Sequence, residues 1–338
     1  MTNPVQHRYK APNPITDARV AMLYGGWSDE RDISKASAQA CHAALIEAGF
    51  NSVTDLDVAD KSFVTDLAQG KYDVAFIAMH GAYGEDGAIQ GLLEILHIPY
   101  TFSGVAGASL AIHKDKAKVL YQAAGLNVAP GICIRYDEIA ACVDDSDIQN
   151  TLVPRIASEV ALPFFIKPCV NGSSFGVSLV KNVQDIPQAL RQASQHTSDV
   201  LIEEAIEGTE VTAPVIGNQD AQALPLIQII TGDAEFYDNT VKYEPPEDHH
   251  ILPAKLPQAV YERVQADAIK ARKAVGCLGA SRSDFIVKDD GTPVILETNV
   301  IPGMTQTSLL PDAAAYAGIA FPQLCRLFVE LAFSKDTE

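Results

Sequence analysis

Positive charge is scarce in this chain. Against 43 Asp and Glu residues it carries only 25 Lys and Arg, for a formal net charge of −18. Such a balance is repelled by nucleic acid and by anionic membrane surfaces, so neither is expected as the main partner. Long apolar runs are missing too: no stretch reaches the roughly 18 to 20 residues that a membrane span needs. The six cysteines (Cys41, Cys133, Cys142, Cys169, Cys277, Cys325) form no CxxC pair and sit mostly among apolar neighbours. Reduced, largely buried thiols in a cytoplasmic protein are the expectation, rather than a metal or redox centre. The opening MTNPVQHRYKAPNPITDA has no apolar core and does not read as a signal peptide, so residues 1–17 are expected to form a frayed arm. Internal repeats and low-complexity segments are absent.

The chain does have length and ordinary globular composition. Its 338 residues, 47% hydrophobic and 20% charged, suffice for two or three domains with substantial cores. From Ala18 the pattern alternates: an apolar run (Ala18 to Tyr24), a helix (Lys35 to Ala48), a strand (Asn51 to Asp57), a helix (Asp60 to Gln69) and a strand (Tyr72 to Met79). That alternation predicts an open α/β unit with ligand groups at the carboxyl ends of its strands, where Gly25-Gly26 and His80-Gly81 stand. The first turn reads GGWS and not G-x-G-x-x-G, which disfavours a dinucleotide site. A helix from about Ala88 to Leu96 follows, with Glu85 and Asp86 read as dipole partners at its N-terminus. His80 has two readings, a structural hydrogen-bonder or a participant in chemistry.

Ala106 to Ala124 reads as one helix bearing Lys114, Lys116 and Lys118, a solvated face unless one of them leans onto a phosphate. Ile132 to Ile148 reads as acidic and loop-like. The strand PFFIKP then leads through Lys167 into CVNGSSFGVSLVK, a Gly/Ser turn with no helix after it and so not a P-loop. Its backbone could still cup phosphate oxygens, or be no more than a flexible hairpin. Strands are read at Val200 to Ile206, Glu210 to Ile216 and Ile227 to Thr231. The polar, turn-rich stretch over about 232–254 reads as a functional or mobile loop. Helices at Leu256 to Val275 and Phe321 to Phe333 complete the chain.

Between those helices lies SRSDFIVKDDGTPVILETNVIPGMTQTSLL, the most informative stretch. Asp289-Asp290-Gly291 reads as the turn of a hairpin. Residues two apart in a strand share a face, so Glu297 and Asn299 can reach one point, onto which Asp284 of the partner strand can converge. Two carboxylates and an amide oxygen form an all-oxygen set suited to Mg²⁺ in phosphate chemistry. The bland alternative is a pair of solvated acids near a turn.

At this point the chain resembles the D-alanine–D-alanine ligases of the ATP-grasp superfamily. The motifs GGWSDERDIS, HGAYGEDGAIQG, SGVAGASLAIHK, IKPCVNGSSFGVS, LIEEAIEGTE, VKY, SRSDF and ETNVIPGMTQTSLLP occur in the family's order from about Arg19 to Ala332. The resemblance implies a three-domain ATP-grasp fold, α/β in an N-terminal open parallel-sheet domain (18–103) and α+β in the central (104–204) and C-terminal (205–338) parts. It implies ATP as co-substrate and two Mg²⁺ or Mn²⁺ ions, and leaves open dependence on a monovalent cation. D-alanine is the implied substrate and a homodimer the implied assembly. Lys114 and Lys167 would bind nucleotide phosphates and Lys242 the γ-phosphate. Glu203 would face the adenine amino group, with Glu204 to Ile206 along the base and Glu210 on the ribose. Asp284, Glu297 and Asn299 would be the metal ligands. Glu30, Ser173 and Tyr243 would form a hydrogen-bonded trio closing the site, with Glu30 and His80 near the first substrate's ammonium. Arg282 and the Gly303 N–H would make the oxyanion site, and Ser308 and Leu309 would receive the second substrate's carboxylate. The implied product is D-alanyl-D-alanine, made through an acyl phosphate for peptidoglycan precursor synthesis. His113, Thr298, Val300 and the segment EPPEDHHILPAK depart from the common pattern without removing a catalytic group. Ligation of a different second substrate, or a catalytically silent nucleotide binder, are the rival readings.

Overall fold

The computed structural model describes residues 9–170, 172, 176–196, 199–230, 250–305 and 307–335. Ser173, Lys242, Tyr243, most of the 232–254 loop and the first eight residues of the arm lie outside them.

The first unit is built on β1 (Arg19–Tyr24), whose Val20 to Leu23 are fully buried. It pairs in parallel with β2 (Ser52–Asp57) on one side and β3 (Val74–Ile77) on the other. A strand flanked on both edges and covered on both faces must be apolar where it is buried, which is why VAML (Val20 to Leu23) carries no alternation. Between β1 and β2 runs α1 (Arg31–Glu47), burying Ser34, Ser37, Ala38, Cys41, Ala44 and Leu45. That three-and-four spacing makes one face, and Gly49 in the left-handed region (φ 93°) ends the helix. α2 (Phe63–Gln69) joins β2 to β3, and α3 (Ala88–Ile95) follows the glycine-rich loop.

The Lys-bearing segment differs from the single predicted helix. It forms α4 (Val105–Ile112) and α5 (Lys114–Ala123), broken at His113, whose backbone is extended and bridges Val170. The Lys114 N–H then donates to the Cys169 carbonyl at 2.9 Å. Pairing with a distant strand therefore overrides local helix propensity at one residue. Beyond it the acidic, loop-like stretch is also more ordered than its composition suggests. It holds β4 (Gly131–Ile134), α6 (Tyr136–Ala140) and α7 (Asp145–Thr151), followed by α8 (Val153–Glu159). Its acids face solvent while Ile134, Ile139 and Ile148 are buried.

A four-stranded antiparallel sheet runs β4, β7 (Val200–Glu204), β5 (Phe164–Pro168) and β6 (Ser178–Val180), with α9 (Ile186–Ser194) packed on it around its own core. The second antiparallel sheet is ordered β11 (His250–Ile251), β10 (Ile227–Ile229), β8 (Thr209–Ile216), β12 (Ala280–Val287) and β13 (Pro293–Asn299), with β9 (Gln222–Ala223) beside β8. Helices α10 (Gln258–Ala274), α11 (Leu309–Tyr316) and α12 (Phe321–Phe333) complete it. This sheet shares one continuous core with the parallel sheet and with α4 and α5; Phe102, for example, sits 5.0 Å from Phe328 between ring centroids. No single helix among the described residues is long and apolar enough to cross a membrane. The cysteines are free thiols, but Cys133 and Cys169, 36 residues apart, bring their sulfurs within 3.5 Å.

Candidate active site

The hairpin predicted from SRSDF and ETNV is β12–β13, in which Asp284 lies directly opposite Glu297 and Arg282 opposite Asn299. A register shift between Asp284 and Phe285 leaves Leu296 as an extra residue. Such a bulge twists the strand and re-aims side chains beside it. Along β12 the core takes Ser283, Phe285 and Val287, while Arg282 and Asp284 stay half-buried on the other face. Glu297 and Asn299 share that placement on β13, and Thr298 turns inward to bond Ser283 at 2.8 Å.

Each acid on this face has a cation. Arg282 makes a two-pronged bond to Asp284, Nε to Oδ1 at 3.1 Å and Nη2 to Oδ2 at 3.0 Å, and the Thr212 hydroxyl donates to the same carboxylate. Lys114 Nζ lies 2.9 Å from Glu297 Oε2. Burial works against the Lys114 charge, yet Glu297 outweighs it and holds the ammonium above its usual pKa. The donor set fits a hard divalent cation in chemistry: two carboxylates and an amide oxygen, all on one face. Asn299 Oδ1 also accepts from the Ile301 N–H at 3.0 Å, which orients it. Among the described residues no group of three or more His, Cys, Asp or Glu is placed to hold a metal ion, so the site offers two acids and not a full cage.

A second cluster lies on the four-stranded sheet. Glu203 of β7 is 4% exposed, and its carboxylate receives Lys167 on Oε1 and Lys118 on Oε2, the latter at 2.5 Å. Burial alone would favour the neutral acid, but Lys167 and Lys118 reverse that and hold the carboxyl below its usual range. Lys118 itself is pushed down, by burial first and by the neighbouring Lys167, with Glu203 only partly offsetting them. Sequence reasoning proposed Lys114 and Lys167 and passed over Lys118. The signal was present: Lys114 and Lys118 are four apart, hence on one helix face. Glu204 donates its N–H to the Pro130 carbonyl at the end of β7, Ile206 follows in the connecting turn, and Glu210 lies on β8 opposite Ile286.

The third cluster belongs to the parallel sheet. Gly25 and Gly26 have positive φ, and the Arg31 guanidinium donates to the Gly26 carbonyl (2.7 Å) and to Asp57, clamping the turn that leads to Glu30. Any side chain on Gly25 would run into Asp57. Glu30, His80 and Glu85 are all buried. His80 Nε2 lies 3.0 Å from the Ser37 hydroxyl and Nδ1 3.7 Å from Glu85 Oε1. Burial disfavours the imidazolium, but Glu85 and Glu30 overcome it and raise the His80 pKa. Glu85 is raised as well, by burial and by Glu30, with His80 opposing. Glu85 is thus a site residue and not merely a helix cap; Asp86 does the capping, accepting from the N–H groups of Tyr83 and Ala88.

The first and third clusters meet at one pocket. A pocket is lined by Glu85, Lys114, Gly172, Glu297 and Asn299, and a Cβ on Gly172 would stand about 3 Å from both Glu30 and Glu85 oxygens. Gly303 packs on Ser308, whose hydroxyl accepts from the Thr305 N–H; Ser308 is the N-cap of α11 and Leu309 its first residue. A buried acid beside the parallel sheet, a lysine from a helix and an acid hairpin therefore border one space.

Known proteins resemble this chain over most of its length. The family model described as D-ala D-ala ligase C-terminus matches residues 120–330, and that described as D-ala D-ala ligase N-terminus matches residues 51–103. Among similar proteins, the D-alanine–D-alanine ligase of Desulforamulus reducens is 42% identical over 317 residues, covering 94% of this chain and 99% of that protein. The ligase of that name from Methylocella silvestris is 44% identical over 317 residues, covering 92% and 97%. Among solved structures, the D-alanine–D-alanine ligase from Bacillus anthracis complexed with ATP superposes with a TM-score of 0.74 at 26% identity, covering 94% and 97%.

Proposed function

The chain belongs to the D-alanine–D-alanine ligase family, and from that premise we propose how its residues carry out the reaction. It is an ATP-dependent ligase with an ATP-grasp fold that joins two D-alanine molecules into D-alanyl-D-alanine for peptidoglycan precursors. The observation that carries the site assignment is the pairing of Asp284 with Arg282 and of Glu297 with Lys114, side by side on one hairpin face.

A carboxylate is a poor electrophile, so the first D-alanine is activated by attack of its carboxylate on the γ-phosphorus, releasing ADP and leaving D-alanyl phosphate. Glu30, buried beside Glu85 and His80, takes the ammonium of that D-alanine. Lys114 and Lys167 bind phosphate oxygens, and Lys242 does so at the transferring group. Glu203 accepts from the adenine amino group, the Glu204 to Ile206 backbone runs along the base, and Glu210 holds the ribose. Asp284, Glu297 and Asn299 would hold two Mg²⁺ or Mn²⁺ ions, which would neutralise charge developing between the phosphates. Lys114 and Arg282 then exchange their carboxylate partners for phosphate and oxyanion.

The amine of the second D-alanine next attacks the acyl carbon, and phosphate leaves. Arg282 and the Gly303 N–H stabilise the tetrahedral oxyanion. Ser308 and Leu309, at the N-terminus of α11, receive the second carboxylate where helix N–H groups and dipole favour an anion. Ser173 and Tyr243, with Glu30, close the site against water, which would otherwise hydrolyse the acyl phosphate. We further assign the units as 18–103, 104–204 and 205–338, with a cytoplasmic homodimer, on the strength of family membership.

The test is ADP release with ATP and Mg²⁺, products identified by mass, using D-alanine, L-alanine, and D-alanine mixed with D-lactate or D-serine. D-alanine-dependent release matched by D-alanyl-D-alanine, and lost in Glu297→Ala, is the expected result. Turnover confined to a mixed second substrate would overturn the specificity, and no turnover with any would overturn the catalytic reading.

A further inference from the structure

Two lysines hold Glu203, and only one of them has another task. α5 presents Lys114 and Lys118 one turn apart on the same face, Lys114 reaching β13 and Lys118 reaching β7. Lys167 comes from β5, the strand adjacent to β7. In the reaction as proposed, Lys114 and Lys167 turn to the phosphates. Lys118, whose side chain is 14% exposed and bonded to Glu203 Oε2 at 2.5 Å, has no phosphate to serve. A buried carboxylate stripped of its cations takes up a proton. As a neutral acid its O–H would donate, which mismatches a 6-amino group and suits a 6-oxo group. β4 runs close along this strand: a side chain on Gly131 would strike the Glu203 backbone and Cβ at 2.9 Å.

We propose that Lys118 is the dedicated counter-ion of Glu203, a positioning residue that keeps this carboxylate charged and aimed at the purine 6-position and so sets the enzyme's preference for 6-amino over 6-oxo nucleotides. The inference rests on the reading that Glu203 faces the adenine amino group, and it adds a residue that this reading did not contain. Lys118 touches no reacting atom; it acts through Glu203.

The experiment compares ATP with inosine triphosphate, which differs at the 6-position and N1, in the wild type, Lys118→Met, Lys118→Arg and Glu203→Gln. For Lys118→Met the expected result is a KM for ATP raised about tenfold or more, with kcat and the KM for D-alanine within about threefold. Its ATP-to-inosine-triphosphate ratio in kcat/KM should fall about tenfold or more, Lys118→Arg should restore most of that ratio, and Glu203→Gln should lower it too. The KM of Lys118→Met for ATP should worsen as pH falls from 8 to 6, on the order of the ordinary carboxylate's upward shift on burial, while the wild type stays flat. Nucleotide binding by calorimetry, on protein checked by circular dichroism, supplies the same ratio should turnover be too weak to measure. A Lys118→Met enzyme that is weaker but keeps the wild-type ratio and pH profile, while Glu203→Gln loses the ratio, would overturn the role of Lys118 alone. An unchanged ratio in Glu203→Gln would overturn the placement of adenine at Glu203, and the proposal with it.

Discussion

The acid cluster at Glu30, on one side of the pocket, and the lysine–carboxylate network that α5 makes with the two antiparallel sheets, here called the cleft, both bury charge, but they balance it in opposite ways. In the pocket two carboxylates and one imidazole come from a single unit, wired by Ser37 and by the Gly81 turn. The balance there is negative and set for one small cation. In the cleft three of the four pairs cross element boundaries, α5 to β13, α5 to β7 and β5 to β7, while Arg282–Asp284 lies within β12. Four cations (Lys114, Lys118, Lys167, Arg282) face three carboxylates (Glu203, Asp284, Glu297), nearly neutral as a set. A polyanion arriving with its own cations can therefore be accommodated by exchanging partners, with no isolated charge left buried at any stage. On the proposed reading, one region takes an ammonium and the other a metal nucleotide.

Arg282→Ala should give the largest break in this contrast short of removing a metal ligand. Losing one oxyanion donor typically costs about 10²–10³ in kcat, and steady-state kinetics should show that loss with the KM for ATP little changed. Glu30→Gln tests the other side. A charged hydrogen bond is worth about 1.5–3 kcal/mol, about ten- to a hundredfold. The KM for D-alanine should rise by that factor while ATP binding by calorimetry stays as in the wild type. A parallel loss of ATP affinity would show the two regions to be one electrostatic unit.

The pH response sharpens the comparison further. His80 is raised in the folded state, so its protonation stabilises the fold fully below its unfolded value of about 6.5 and ceases to do so as pH rises through the higher folded value. In Glu85→Gln burial is opposed by less, and the imidazole should titrate lower by NMR. The melting-temperature difference between wild type and variant should narrow as pH rises above about 6.5. The smallest effect is expected far from either region. Glu138→Gln removes a half-exposed pair with Arg155, worth under about 1 kcal/mol, and should leave every kinetic constant unchanged.

Much of this was legible beforehand, for identifiable reasons. The β12–β13 hairpin announced itself through a two-residue period and an Asp-Asp-Gly turn, and those local rules put Asp284 against Glu297. The break at His113 was not legible, because its cause is a backbone bridge to Val170, 57 positions away. The run KDKAK looked like a solvated lysine face, since burial of Lys118 depends on where β7 lies. Glu85 looked like a cap for the same reason: its partner, His80, is close in sequence, but the burial that makes the pair significant comes from the rest of the fold.

Partner exchange in the cleft is tested most directly by titrating ATP calorimetrically with and without Mg²⁺ in the wild type and in Glu297→Gln. The account predicts that Mg²⁺ tightens ATP binding to the wild type by about tenfold or more, about 1.4 kcal/mol at least, and that Glu297→Gln loses most of this gain. A variant that keeps the full gain would contradict it, because Glu297 would then be holding Lys114 and no metal.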